Sequence, residues 1–110
     1  MIEDLDSIRQ EIDYGIWASY FDLCEENSRF SGLTTIQRIN SNIVDILILD
    51  DRSFSNAISL IRVVAKSDGE YKILNFIILS LKPHKTETID FIKPEQLKGI
   101  ILDTFKTYYD

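Results

Sequence analysis

Apolar residues recur at steps of three and four through the first quarter of the chain. Leu5, Ile8, Ile12, Ile16, Tyr20 and Leu23 form one stripe, which predicts a helix over residues 2–26. The turn-forming stretch NSRFSG, residues 27–32, is expected to close it. LTTIQRI at 33–39 reads as a short strand, NSN at 40–42 as a turn, and the isoleucine-rich IVDILIL at 43–49 as a second strand. A polar loop is expected over 50–56.

The clearest signal follows. Two apolar runs flank Ser67-Asp68-Gly69-Glu70, and Asp-Gly is the pair a two-residue type I′ turn prefers. Folding about it pairs Lys66 with Tyr71, Val64 with Ile73, Arg62 with Asn75 and Leu60 with Ile77 on one face. Val63–Leu74 and Ile61–Phe76 meet on the other, so the hairpin is expected at the centre of a sheet and covered on both sides at its far end. A helix over 56–66 is the competing reading, because that run also tolerates a 3.6-residue period. PHK, 83–85, is expected to end the hairpin, and ETIDFIK, 87–93, to form an edge strand. From Pro94 a second helix begins, with Glu95 at its positive end and a buried stripe of Leu97, Ile100, Ile101, Phe105 and Tyr108. Gly99 inside that helix suggests a close approach to the sheet.

Helix, four or five antiparallel strands and helix, with no βαβ alternation, define an α+β fold. The expected architecture is an N-terminal helix, a meander with a central Asp-Gly hairpin, and a C-terminal helix packed on the sheet. The 110 residues suit a single domain, 1–110. One cysteine, Cys24, excludes an internal disulfide and a multi-cysteine zinc site, and one histidine, His84, excludes a two-histidine metal centre. No cofactor or metal is expected. The acidic opening MIEDLDSIRQ lacks the basic flank and apolar run of a signal peptide, and no apolar run reaches membrane-spanning length, which together suggest a cytoplasmic protein without membrane contact.

Charge changes the picture more than composition does. The net charge is −6, and residues 1–55 hold eleven acids against four arginines while residues 56–110 hold seven acids against eight bases. This asymmetry disfavours direct nucleic-acid binding and favours a basic protein partner. On the first helix Glu3, Asp6, Gln10 and Asp13 share the solvent side, and Trp17 falls in the middle of that face with Phe21 and Cys24 beside it. Either Gly15 or a covering segment buries the ring, or Trp17 stays exposed beside Asp13 and Tyr14 as an aromatic anchor among carboxylates. Glu25 and Glu26, set against the negative end of the helix, and Asp50 and Asp51 extend the acidic set. Asp6, Asp13, Tyr14, Trp17, Glu25, Glu26, Asp50 and Asp51 are therefore the candidate partner-binding residues.

Three polar residues interrupt apolar strands: Asp45, Arg62 and Asn75. A buried arginine needs acceptors, and Asp45 is the nearest by strand order, so a structural bridge is expected, with a polar pocket as the alternative. Glu70-Tyr71-Lys72 with Asp50 or Asp51 upstream resembles the D…(D/E)xK arrangement of metal-dependent nucleases, which implies a Mg²⁺ site at those residues.

Three functional readings follow. The first is a non-enzymatic acidic interaction domain that binds and neutralises a basic partner such as a toxin nuclease. In size, acidity and single-domain build the chain is similar in kind to nuclease inhibitors, including bacterial immunity proteins. The second is a structural subunit, monomeric or homodimeric through an edge strand. The third is the small metal-dependent enzyme.

Overall fold

Isoleucine and valine at alternate positions decide the sheet. Val44, Ile46 and Ile48, then Ile61 and Val63, then Ile73 are fully buried on one face, each contributing roughly 1.5–3 kcal/mol through burial. The computed structural model describes residues 14–109, so the predicted helical turns over residues 2–13 lie outside it. Five strands follow one another, each antiparallel to the last: β1 (Thr34–Asn40), β2 (Ile43–Asp50), β3 (Ser53–Ala65), β4 (Tyr71–Leu79) and β5 (Lys82–Ile92). Helices α1 (Tyr14–Glu26) and α2 (Ser28–Leu33) precede the sheet. Helix α3 (Pro94–Lys106) follows it and packs against α1. The fold is α+β, an antiparallel five-stranded meander with helices over one face.

Residues 27–32 are not a plain turn. The Asn27 side chain accepts hydrogen bonds from the Arg29 and Phe30 amides, both at 3.1 Å, and so caps a one-and-a-half-turn helix. A helix this short has no stability of its own. Phe30 supplies it, buried between Tyr20 and Phe105 at ring distances of 5.4 and 5.1 Å.

The Asp-Gly hairpin forms one register away from the expected one. The Lys66 carbonyl accepts from the Gly69 amide at 3.1 Å, and the Lys66 amide donates to the Glu70 carbonyl at 2.8 Å. Gly69 alone carries a positive φ, +83°, so Ser67-Asp68-Gly69 is a three-residue loop closed by a left-handed glycine instead of a two-residue type I′ turn. Val63 therefore faces Ile73, Ile61 faces Asn75, and Arg62 faces Leu74. Arg62 and Asn75, paired in the expected register, point to opposite faces. Only one face of the hairpin lies under the helices, while Leu60, Val64, Leu74 and Phe76 on the other are half-buried. Residues 56–66 are strand, not helix.

Two further boundaries shift. The expected loop at 50–56 shrinks to Asp51 and Arg52, because the Asp50 carboxylate accepts from the Arg52 amide at 2.9 Å and draws Ser53 into pairing. Residues 83–85 belong to β5, and the β4–β5 turn is Ser80-Leu81, with φ of +50° and +67°. Pro83 is tolerated there because β5 is an edge strand. Gly99 marks no close approach: it is exposed, and a Cβ at that position would meet nothing within 4 Å. Among the described residues no helix is long and apolar enough to cross a membrane.

Candidate functional site

Of the eight residues singled out for partner contact, Asp6 and Asp13 lie outside the described residues, and Tyr14 is described only as the start of α1. Trp17 is 6 % exposed and stacks on Phe21 at 5.8 Å. As placed, the indole offers no surface to a partner, and burial is the one of the two readings that the structure adopts. The reason is the width of the buried face of α1: Ile16, Tyr20 and Leu23 enter the core, and Trp17 is buried on the same helix beside half-buried Phe21.

The four described acids do not form one patch. Glu25 and Glu26 are exposed at the end of α1, where Glu26 pairs with Lys98 in the first half of α3. Asp50 and Asp51 occupy the β2–β3 turn, where the Asp51 amide donates to the Tyr109 hydroxyl beyond the other end of α3. Arg52 binds both oxygens of Asp50 at 3.1 Å, and these hydrogen bonds hold the Asp50 carboxyl below its ordinary range. Residues 14–109 carry twelve acids and eleven bases, so the described body is close to neutral. The surplus belongs to residues 1–13, with five acids against Arg9, and to Asp110.

The residues that resemble a nuclease centre are not brought together. Asp50 and Asp51 lie at one end of β3, and Glu70 with Lys72 lies past its other end. Among the described residues no group of three metal-ligating side chains assembles. Asp45 and Arg62 do meet, directly opposed on β2 and β3. Arg62 Nε and a terminal nitrogen reach the two Asp45 oxygens at 2.8 and 2.9 Å on the open face of the sheet. The carboxylate's hydrogen bonds raise the arginine further above its ordinary range.

Asn75 goes to the other face and to a different neighbourhood. It sits in β4 below α3, 9 % exposed, and helps to line a cleft of about 330 Å³. The opposite wall is the C-terminal end of α3 and the turn after it, formed by Asp103 and Thr104 and by Thr107 and Tyr108. A β-bulge completes the floor. Asn75 pairs with Glu87 and Phe76 with Lys85, which leaves Thr86 as the extra residue of β5. Consecutive residues of a regular strand face opposite sides, but the bulge turns both Thr86 and Glu87 toward the cleft.

The hydrogen bonds inside the cleft all run in one sense. Thr86 Oγ1 donates to the Asn75 carbonyl at 3.0 Å, Thr104 Oγ1 to the Ile100 carbonyl at 2.9 Å, and Thr107 Oγ1 to the Asp103 carbonyl at 3.1 Å. Each hydroxyl proton is committed to backbone, so each threonine oxygen has only lone pairs left to offer. Asn75 Nδ2 donates to Glu87 Oε1 at 3.3 Å, which orients the amide, since a carboxylate can only accept. Asn75 Oδ1 is then a buried acceptor without a partner among the described residues. Such an atom typically costs about 1–3 kcal/mol while unsatisfied. With the Glu87 and Asp103 carboxylates, the wall presents acceptors and negative charge. Its Tyr108 hydroxyl can act either way.

Comparison with protein-family models, with curated proteins and with solved structures returns no significant match. Asn75 was legible as a polar interruption of β4. The rest of the cleft was not, because Thr86 and Glu87 share a face only through the bulge, and Asp103, Thr104 and Thr107 read as the ordinary solvated side of a helix.

Proposed function

We propose that the protein is a non-enzymatic binding module for a basic protein, of the kind that an inhibitor or immunity-type protein neutralises, acting in the cytoplasm. One observation carries the reading: the acceptor-rich lining of the cleft between α3 and the β4–β5 bulge. A site built from carboxylates, hydroxyl lone pairs and an unpartnered amide oxygen is complementary to a cation with several donors. The segregated charge supports it from a second direction. Five acids in the first thirteen residues add long-range attraction to a nearly neutral body, which speeds encounter with a positive partner and weakens as salt rises.

The test is isolation on the immobilised full chain, followed by hydrogen-exchange mapping of the retained complex. The expected result is a basic protein, of pI above about 9, eluted by salt and protecting amides along residues 75–87 and 103–108. Retention of neutral or acidic proteins, or protection confined to other elements, would contradict the proposal.

A further inference from the structure

We propose that the cleft between α3 and the β4–β5 bulge seats a guanidinium group, presented by an arginine side chain of the basic partner. This rests on the reading of the protein as a module for a basic partner and specifies what that partner must insert. The chemistry of the lining selects the group. An ammonium is a compact point charge with three donors, satisfied by a single carboxylate and water. A guanidinium spreads five donors in a plane and needs acceptors on several sides at once. The cleft supplies them from two elements: Asn75 Oδ1 and Glu87 from the sheet, Asp103 and the outward lone pairs of Thr104 and Thr107 from the helix. Asn75 is the discriminating contact: its oxygen is unpartnered but closed to solvent in the free chain, so its amide, held by Glu87, must turn toward the cleft as the cation enters. The Tyr108 ring and Ile77 provide the apolar walls against which a planar cation can lie.

The test uses the full chain labelled with ¹⁵N and titrated at constant ionic strength with ethylguanidinium, n-butylammonium and neutral N-ethylurea. Ethylguanidinium is expected to give saturable shifts, with a Kd of about 1–10 mM for so small a ligand. The shifts should centre on the Asn75 side-chain amide and on the backbone of residues 86, 87 and 103–108. Butylammonium should bind about tenfold more weakly or worse, and ethylurea not at all. Glu87→Gln and Asp103→Asn change exposed carboxylates and leave the spectrum dispersed, yet each should weaken ethylguanidinium about tenfold. Glu95→Gln, exposed in the first turn of α3, should leave the titration unchanged.

Linear, non-saturating shifts, equal binding of butylammonium, or a loss in Glu95→Gln matching that in Asp103→Asn would overturn the assignment. Saturable binding in the cleft by a chain that retains no basic protein would uphold the guanidinium seat and overturn the protein partner. A retained basic protein that protects other surfaces, with no saturable cleft binding, would do the reverse.

Discussion

Asp45 and Arg62 close a two-point bridge across β2 and β3 at 2.8 and 2.9 Å, with Asp45 1 % exposed and the guanidinium lying 5.7 Å from the Phe76 ring centre. The pair spans the only face of the central strands that no described helix covers. Arg62→Leu leaves a buried carboxylate without its cation. Because the arginine is itself partly open to water, the expected loss is about 2 kcal/mol, below the 3–5 kcal/mol typical of fully buried pairs. Urea unfolding measures it, and the double variant Asp45→Leu/Arg62→Leu should recover most of the loss. A single variant as stable as the parent would show that the bridge contributes nothing.

Gly99 faces solvent in the middle of α3, with open space where a Cβ would stand. Gly99→Ala should therefore stabilise the protein by about 0.5–1 kcal/mol, chiefly through the lower entropy of the unfolded chain. Thermal unfolding would register a rise of several degrees. A fall would mean that the helix approaches another element at this point after all.

Alkaline pH acts through Tyr20. Burial, opposed by the Thr34 hydroxyl at 3.1 Å, raises its pKa from 10.0 to about 12. Above pH 10 the unfolded chain releases this proton while the folded chain keeps it until about pH 12. Stability held below pH 10 is thus lost progressively between pH 10 and 12. Tyr20→Phe should flatten that decline relative to the parent in denaturant titrations at stepped pH. An equal slope in both proteins would show that the group does not titrate with folding.

Trp17 offers an optical check on the burial of α1. At 6 % exposure, its fluorescence should be quenched by acrylamide far less than that of a free indole, and iodide should add nothing. A quenching slope near that of a solvated tryptophan would return the ring to the surface and reopen its candidacy as an anchor.

What the sequence reveals here divides along a physical line. The apolar runs of β2 and β4, the stripe of Leu97, Ile101 and Phe105, and the order of elements follow from local composition and periodicity, and all are present in the structure. Register does not. Whether Asp68 takes a positive φ is decided within one loop, and that choice separates Arg62 from Asn75 onto opposite faces. Asp45 and Arg62 were expected as a bridge, and strand adjacency delivers it. The cleft needs the bulge at Thr86 and the position of α3 over the sheet, both tertiary facts with no one-dimensional trace.

The proposed complex between the full chain and a basic protein is most directly tested by competition, with release of any retained basic protein followed by fluorescence anisotropy. Ethylguanidinium should displace the partner over the same concentrations at which it shifts the Asn75 side-chain amide, while sodium at equal ionic strength displaces far less. A complex that responds to both salts alike would be held by diffuse charge alone, with no cation seated beneath α3.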